Sequence, residues 1–304
     1  MGHCVPEKVV TNDDLSKIVD TNDEWISSRT GIRERRFVEG ETGTSLAVGA
    51  VRMALEKSGI ALEDIGVCVV ATVKADYLTP SNACMVQKEL GLPNDIPCFD
   101  INAACSGFMY GLQVARGILM QSERRYGIVV GTETLSKILD MTDRGSCILF
   151  GDGAGAAIIE LSDDHRIIGD LGSKGDNEVL YCPNNSDEDR FVAMKGSDVF
   201  KFAVSTVPKS IDRLLEKAGV AADDIDYYVC HQANVRIIES VAKKCKQPMD
   251  KFYINLDKYG NTSSASIPIA LSEMCEKGLL KPGMKIICVG FGGGLTWGGA
   301  YLEW

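Results

Sequence analysis

A stretch of fifteen residues occurs in this chain in two related versions, and this internal repeat constrains the fold more than any other feature. Glu56–Val70 reads EKSGIALEDIGVCVV, and Glu216–Cys230, displaced by 160 residues, reads EKAGVAADDIDYYVC. Each version predicts the end of a helix closed by a glycine, Gly59 or Gly219, followed by an acidic turn and an apolar strand.

A second match in the same order along the chain indicates that two halves were duplicated. Tyr126–Gly131 (YGIVVG) and Lys285–Gly290 (KIICVG) are apolar runs that each lead into a polar or glycine-rich loop. Helix-length amphipathic segments such as Ser106–Gln121 and Ser266–Lys277 alternate with such runs. This alternation predicts βαβ units, largely parallel sheets and an α/β fold.

The predicted halves are residues 1–161 and 162–304. The segment Ser162–Asp189 between the repeated units is acidic and contains several glycines, which indicates a connection with hairpins rather than a flexible linker. Because each half must cover a face of its own sheet, we expect the two halves to share one core.

Composition narrows the classes of function. The chain has 304 residues, 45% hydrophobic and 24% charged, which is typical of a folded globular protein. Its net charge of −10 argues against a general nucleic-acid binder. No apolar run reaches the roughly 18 residues needed to span a bilayer, and no signal-peptide pattern opens the sequence. We therefore expect a cytoplasmic protein without a membrane partner.

Eleven cysteines are scattered at irregular spacing, without a C-x-x-C pair. A chain of this size does not need disulfides to fold, so the pattern predicts reduced thiols. Only three histidines are available beside them, which disfavours a structural metal site.

One of these cysteines, Cys105, lies in PCFDINAACSGFMYG, between a short apolar run and a segment that can open a helix. The N–H groups and dipole at a helix N-terminus favour the thiolate, which is the nucleophilic form. A free cysteine is more often a small buried hydrophobe, so the position alone leaves both interpretations open.

Two polar residues stand at comparable junctions in the second half. His231 follows the apolar run Tyr227–Cys230, and Asn261 lies in YGNTSSAS between a predicted strand, Phe252–Leu256, and a helix. Ligands of open α/β sheets bind at the carboxyl ends of strands. Taken singly, His231 is typical of a structural histidine and Asn261 of a helix cap. Packing of duplicated halves is expected to bring Cys105, His231 and Asn261 together.

Two glycine-rich segments are candidates for ligand-binding loops. Gly151–Gly155 (GDGAG) lies between apolar runs and is predicted to be a strand-to-strand turn, whereas a dinucleotide fingerprint needs a helix after its glycines. Phe291–Gly299 (FGGGLTWGG) precedes the last predicted strand, and its glycines permit close approach of the backbone to a bound group.

Four ordered motifs, ACSGF, CHQAN, YGNTSSAS and FGGGLTWG, make the chain resemble the β-ketoacyl-acyl-carrier-protein synthase III family over nearly its whole length. The resemblance implies a thiolase-like fold with α-β-α-β-α layers and pseudo-twofold symmetry. It also implies an acyltransferase that starts type II fatty-acid synthesis by condensing an acyl-CoA primer, expected to be acetyl-CoA, with malonyl-acyl carrier protein. Asn261 stands where thiolases have a cysteine and elongating condensing enzymes a histidine.

The resemblance implies a role for each residue of the constellation. Cys105 would carry the acyl group, while His231 and Asn261 would donate hydrogen bonds to the enolate oxygen formed by decarboxylation. The backbone N–H groups of Cys105 and Gly293 would form a second oxyanion hole. Coenzyme A would be a substrate, and no cofactor or metal is expected.

Binding surfaces also follow from the resemblance. The residues expected to contact coenzyme A and its pantetheine arm are Trp25, Arg29, Arg144, Gly196, Phe200 and Asn234. The residues expected to dock the acidic carrier protein are Lys201, Arg236, Lys243 and Lys244, of which the last three share one face of a predicted amphipathic helix. From the charge pattern alone, that face is equally typical of a plain solvated helix. Thr79 is expected to reach the partner's acyl pocket in a homodimer.

The chain departs from the family pattern at its beginning, where the first strand is expected to be absent or nearly so. Two alternative functions stay open. One is a condensing enzyme or acyltransferase of specialised metabolism with another primer, and the other is a non-catalytic module that binds acyl-CoA or a carrier protein. The primer's length and branching are not predicted.

Overall fold

The computed structural model describes residues 1–183 and 191–304, so positions 184–189 of the predicted connection lie outside the described residues. The helices are α1 (Asn12–Leu15), α2 (Asp23–Thr30), α3 (Gly43–Ser58), α4 (Asn82–Leu90), α5 (Gly107–Leu119), α6 (Gly196–Ala218), α7 (Val235–Cys245), α8 (Leu256–Tyr259) and α9 (Ser266–Glu276). In the part of the chain that the structure describes, none of these helices is both long and apolar enough to cross a membrane.

The strands form two main sheets and two small ribbons. They are β1 (Gly2–Cys4), β2 (Val9–Thr11), β3 (Glu34–Arg36), β4 (Ile65–Ala71), β5 (Cys98–Ile101), β6 (Tyr126–Glu133), β7 (Gly153–Glu160), β8 (Ile167–Asp176), β9 (Leu180–Tyr181), β10 (Ala193–Met194), β11 (Tyr227–Cys230), β12 (Lys285–Gly292) and β13 (Gly294–Glu303). The first sheet has the order β1-β7-β6-β4-β5 and the second β11-β12-β13-β8, while β2 pairs with β3 and β9 with β10.

Each main sheet is mixed rather than largely parallel. β4 pairs in parallel with β5 and β6, and β11 with β12, whereas the other four neighbouring pairs in the two sheets are antiparallel. The prediction of largely parallel sheets is therefore wrong. In the second sheet the cause is plain, because Gly293 alone separates β12 from β13 and so short a connection permits only antiparallel pairing.

The two main sheets reproduce the sequence repeat. In the first half α3 ends at Gly59 (φ 67°), and a 3-10 turn, Leu62–Asp64, leads into β4. In the second half α6 ends at Gly219 (φ 69°), and the 3-10 turn Ala222–Asp224 leads towards β11. The strand orders β4-β6-β7-β1 and β11-β12-β13-β8 correspond strand for strand. The expected fold class, two duplicated α/β halves of the thiolase-like type, is confirmed.

The layers pack around a central pair of helices. Buried side chains of α5 and α9, including Phe108, Met109, Ile267 and Leu271, share one cluster with residues of both sheets. α3 and α4 cover the outer face of the first sheet, and α6 and α7 contribute to the cluster on the other side of the second. The order is thus helix, sheet, helix, sheet, helix, with α5 and α9 beginning inside the molecule. The boundary between residues 161 and 162 stays a prediction.

Three local expectations are wrong. β1 is present, since Gly2–Cys4 pairs with β7 and covers its edge. The predicted strand Phe252–Leu256 is a single parallel bridge from Phe252 to Tyr228, after which the chain turns into α8. The segment Gly151–Gly155 is not a turn between two strands, because β7 already begins at Gly153 and the preceding apolar run forms turns that end in a single bridge at Phe150.

Candidate active site

Cys105, His231 and Asn261 line one cavity of about 290 Å³ between the two copies of the repeat. Cys105 follows β5 and His231 follows β11, as expected from the sequence, whereas Asn261 follows α8 instead of the predicted strand. All three residues are buried, with 8%, 1% and 6% of their surfaces exposed. The cavity therefore holds a thiol, an imidazole and an amide away from bulk water.

Cys105 sits in a tight turn ahead of α5. The 3-10 turn Ala104–Ser106 opens with Ala104 in the left-handed region (φ 47°), and the Ala104 N–H donates to Asn102 Oδ1 at 3.1 Å. Close approach of the β12 end requires a glycine, because a Cβ on Gly292 would lie 2.6 Å from the Cys105 nitrogen. This packing leaves the thiol facing the cavity rather than the core.

The thiol is protonated in the unliganded site. Burial raises the pKa of Cys105 to about 12, against a smaller lowering by the Ser263 hydroxyl and with a small added rise from the Glu133 carboxyl. The expectation that the helix N-terminus favours the thiolate is thus outweighed by desolvation. α5 begins at Gly107, so Cys105 lies two residues before the first helical residue and its burial outweighs the nearby helix dipole.

His231 is neutral and held by a serine. The backbone N–H of His231 donates to the Val289 carbonyl at 2.9 Å, and the ring Nδ1 lies 2.7 Å from Ser266 Oγ. Burial lowers the pKa of His231 to about 3. Ser266 Oγ also accepts from the Gln232 N–H at 3.4 Å, which leaves the hydroxyl hydrogen for Nδ1. The neutral ring then carries its own hydrogen on Nε2.

The Asn261 amide is oriented by the turn that follows it. Its backbone bridges to Phe150, with its N–H donating to Leu149 O at 2.8 Å. Its side-chain Oδ1 accepts from the Ser263 N–H at 2.9 Å. Since the oxygen is occupied by that bond, Nδ2 is the group left to donate.

Most of the residues predicted to bind coenzyme A line the same cavity, namely Trp25, Arg29, Gly196, Phe200 and Asn234. The guanidinium of Arg29 lies 4.5 Å and that of Arg144 4.6 Å from the centroid of the Trp25 ring. Arg144 also donates to the Asp20 carbonyl at 2.8 Å, and its neighbour Gly145 lines the cavity. An aromatic ring with two cations therefore stands at the cavity mouth.

The predicted docking cations lie outside the cavity, on α6 and α7. Arg236, Lys243 and Lys244 are exposed on α7, and Arg236 also borders the cavity. Lys244 Nζ donates to the Val204 carbonyl at 2.7 Å, and Lys201 pairs with Asp198 at 3.0 Å. The α7 face is thus basic where the cavity opens.

Gly293 and Thr79 are not among the residues that line the cavity. Gly293 is half-buried at the turn between β12 and β13, and a Cβ there would meet the Leu180 carbonyl, whereas Gly292 is the glycine packed on Cys105. Thr79 is exposed in the loop before α4, away from the cavity of its own chain.

Glu133 and Ser266 contribute to the site but were missed by the sequence reasoning. Ser266 opens α9 and bonds His231, and Glu133 is the last residue of β6, fully buried near Cys105. A signal for Glu133 exists, because a charged residue ends the otherwise apolar and small-residue run YGIVVGTE.

A cysteine, a histidine and an asparagine converging from duplicated α/β halves define a condensing enzyme of the thiolase-like fold. Comparison with known proteins agrees. The model for 3-oxoacyl-[acyl-carrier-protein] synthase III matches residues 99–175, and the model for the C-terminal part of that family matches residues 215–304. The chain belongs to the 3-oxoacyl-[acyl-carrier-protein] synthase III family.

Individual relatives cover the whole chain. The β-ketoacyl-[acyl-carrier-protein] synthase III of Clostridium acetobutylicum is 52% identical, and that of Fusobacterium nucleatum 50%, each over all of this chain and 97% of the relative. Among solved structures, the 3-oxoacyl-[acyl-carrier-protein] synthase III of Aquifex aeolicus superposes with a TM-score of 0.95 at 42% identity, covering 100% of this chain and 98% of the other. The family expected from the motifs is thus confirmed.

Proposed function

We propose that this protein condenses an acyl-CoA primer, with acetyl-CoA as the expected one, with malonyl-acyl carrier protein through an acyl-Cys105 intermediate. The product is a 3-oxoacyl-acyl carrier protein, the first condensation product of type II fatty-acid synthesis. The observation that carries this proposal is the convergence of Cys105, His231 and Asn261 in one buried cavity whose mouth holds Trp25 and two arginines.

In the first half-reaction, the Cys105 sulfur forms a bond to the acyl carbonyl carbon, and the bond from that carbon to the coenzyme A sulfur breaks. The thiol hydrogen ends on coenzyme A, which leaves as a thiol. The tetrahedral oxyanion formed on the way is assigned to the backbone N–H groups of Cys105 and Gly293. The absence of a side chain at Gly292, which packs on the Cys105 nitrogen, keeps that approach open.

In the second half-reaction, the malonyl thioester loses carbon dioxide, and its electron pair moves onto the thioester oxygen as an enolate. His231 Nε2–H and Asn261 Nδ2–H are assigned as the two donors to that oxygen. Both donors are oriented before substrate arrives, by Ser266 and by the Ser263 N–H. A preorganised donor of this kind is worth about 3 to 4 kcal/mol in the transition state. The enolate carbon then forms a bond to the acyl carbonyl carbon, the bond from that carbon to the Cys105 sulfur breaks, and the Cys105 thiolate takes up one proton from solvent.

Substrate binding is assigned to the two ends of the cavity. Trp25 and Arg144 would stack on the adenine, and Arg29 would meet the phosphates, since guanidinium groups suit both tasks. Gly196, Phe200 and Asn234 would line the pantetheine path. The basic groups Lys201, Arg236, Lys243 and Lys244 would dock the acidic carrier protein. Coenzyme A enters and leaves as a substrate, and the proposed reaction uses no cofactor or metal.

We also propose a homodimer in which the loop of Thr79 meets the partner. In the single chain Leu78 is 97% exposed and Tyr77 56%. Such an apolar loop tip is a surface that a second copy would cover. A cytoplasmic location stays a prediction.

Intact-protein mass after incubation with acetyl-CoA tests the proposal. Wild type should gain one acetyl group on Cys105, and Cys105→Ala should gain none. His231→Ala should still acquire some acetyl group but should no longer release carbon dioxide from malonyl-acyl carrier protein. Equal acetylation of wild type and Cys105→Ala would remove this cysteine as the nucleophile. Acetyl-CoA or carrier-protein binding without any carbon dioxide release would instead favour the non-catalytic binding module.

A further inference from the structure

Glu133 is a fully buried carboxyl group that, among the described residues, has hydrogen-bond donors but no cation around it. Its Oε2 accepts from the Val73 N–H at 3.1 Å, and Thr72 Oγ1 lies 3.5 Å away. Its Oε1 lies 2.7 Å from Ser264 Oγ. Among the ion pairs of the described residues, none includes Glu133. An ionised carboxyl without a cation partner is costly at such a position.

The hydrogen bonds of Ser264 assign a proton to Glu133. Ser264 Oγ lies 3.0 Å from the Ala71 carbonyl as well as 2.7 Å from Glu133 Oε1. A hydroxyl has one hydrogen, and a carbonyl oxygen can only accept. Ser264 can therefore donate to only one of these two oxygens, and its backbone N–H also donates to Glu133 Oε1 at 3.4 Å. We assign the Ser264 hydroxyl hydrogen to Ala71 and the hydrogen of the shorter contact to Glu133. Burial also raises the pKa of Glu133 to about 7, in agreement with a neutral acid.

The turn held by Glu133 is the one that orients Asn261. Ser264 follows Ser263, which adopts the left-handed region (φ 48°) and whose N–H fixes Asn261 Oδ1. A Cβ at Gly131 would lie 2.3 Å from the Ser264 carbonyl oxygen, so β6 packs directly on this turn. Glu133 is thus the side chain that connects the end of β6, in the first half, to the Asn261 turn in the second.

We propose that Glu133 is a positioning residue: as a neutral acid donating to Ser264, it holds the 263–264 turn so that the Asn261 amide points its N–H at the substrate. This inference rests on the proposed function, because it concerns the decarboxylation step. When Glu133 ionises, Ser264 can satisfy only one of its two acceptors, and the turn loses one of its two anchors.

The competing role for Glu133 is that of an ionised base acting on the Cys105 thiol. Among the described residues, the Cys105 thiol is the titratable group whose pKa the Glu133 charge changes. The groups that β4 and the 263–265 turn place against Glu133 are uncharged donors and carbonyls. A carboxylate there raises the thiol pKa and so opposes formation of the nucleophile. The two roles differ in the half-reaction they affect and in the protonation state they require.

Glu133→Gln separates these roles, because its amide can donate to Ser264 and accept from Val73 as the neutral acid does. Two half-reactions are measured from pH 6 to 9: acetylation of Cys105 by intact mass, and carbon dioxide release from malonyl-acyl carrier protein. We expect Glu133→Gln to stay within about twofold of wild type in both at pH 6. Wild-type decarboxylation should fall as pH rises through about 7, where Glu133 ionises, and the variant should lack that fall.

Ser264→Ala tests the same link from its other end, with Ser272→Ala as the matched control. Ser272 is likewise fully buried but bonds His3 at 2.9 Å, far from the site. Ser264→Ala should lower decarboxylation at least tenfold while acetylation falls much less, because an oxyanion donor loses its orientation. Ser272→Ala should show no such split between the two half-reactions, whatever its stability.

Each outcome decides the proposal. Loss of both half-reactions in Glu133→Gln, at unchanged thermal stability, would overturn it in favour of an essential carboxylate. A Glu133→Gln enzyme that keeps the wild-type pH profile, or a Ser264→Ala enzyme that decarboxylates at the wild-type rate, would also overturn it. Failure of the wild type to acetylate Cys105 would instead refute the proposed function itself, which keeps the two failures distinct.

Discussion

Two turns in this molecule share one backbone conformation but present different residues to the cavity. Residues 102–107 (NAACSG) and 261–266 (NTSSAS) each begin with an asparagine whose Oδ1 accepts from the N–H two residues later, at 3.1 Å and 2.9 Å. Each then has a left-handed residue, Ala104 at φ 47° and Ser263 at φ 48°, and each leads into a central helix. The turns are therefore copies, displaced by 159 residues.

The copies differ in which residue faces the cavity. In the first turn Asn102 is exposed to solvent and the fourth residue, Cys105, lines the cavity. In the second turn the asparagine lines the cavity, while the fourth residue, Ser264, is bonded to Ala71 and Glu133. The same turn conformation thus supplies a nucleophile in one copy and a hydrogen-bond donor in the other.

The strand ends that face these turns differ in the same way. In the repeat, the ends of β6 and β12 place Glu133 and Gly292 at corresponding positions, two residues beyond Gly131 and Gly290. Gly292 packs on the Cys105 nitrogen without a side chain, whereas Glu133 fills the space and bonds Ser264. The end of β12 therefore leaves space beside a reacting group, whereas the end of β6 holds a turn in place.

Cys105→Ser makes the first turn more like the second and should have the largest effect. A hydroxyl is a far weaker nucleophile than a thiol, and His231 in the same cavity is assigned as a hydrogen-bond donor rather than as a base. We expect acyl transfer to fall by about a thousandfold or more, measured as the rate of acetylation by intact mass. Cys275→Ser, a half-buried thiol outside the cavity, is the control, and a comparable loss in it would contradict the assignment.

The paired changes Asn261→Asp and Asn102→Asp should have sharply different effects. Both keep a side-chain oxygen for the N–H two residues later, so both turns can stay folded. Asn261→Asp removes the donor from the cavity and should slow decarboxylation by about 100- to 1000-fold, as loss of an oxyanion donor does. Asn102→Asp, on the exposed copy, should stay within about twofold, and equal losses in the two variants would show that the asparagines are structural alone.

Gly292→Ala tests whether the end of β12 must lack a side chain beside Cys105. Its Cβ would lie 2.6 Å from the Cys105 nitrogen and 3.0 Å from Ala104 Cβ, so the turn must move and the oxyanion N–H with it. We expect acetylation of Cys105 to fall by about a hundredfold, because small displacements of reacting groups are costly. Gly117→Ala in α5, where a Cβ meets nothing within 4 Å, should acetylate normally, and normal acetylation by Gly292→Ala would contradict the prediction.

The sequence was sufficient for the features that are local or repeated. The starts of α5, α7 and α9 follow from short motifs, and the repeat predicts that the Cys105, His231 and Asn261 junctions meet. The Glu133–Ser264 bond joins residues 131 positions apart, so only packing of the finished halves brings them together. The predicted strand Phe252–Leu256 is wrong for a related reason. Its counterpart in the first half, β5, pairs with β4 along its length, whereas Phe252 makes a single bridge to Tyr228.

The smallest effects should come from Ala104→Gly and Ser263→Gly, which relax the same left-handed position in the two copies. Glycine tolerates positive φ but loses more entropy on folding, so Ala104→Gly should change the free energy of unfolding by less than about 1 kcal/mol. Ser263→Gly also removes a buried hydroxyl that makes no hydrogen bond of good geometry among the described residues but lies close enough to the Cys105 thiol and the Glu133 carboxyl to lower both pKa values. Relief of an unpaired buried hydroxyl is worth about 1 kcal/mol or more, so denaturant titration should find Ser263→Gly the more stable variant. The opposite order would mean that this hydroxyl is bound to the thiol, and that the second turn contributes a donor to the first.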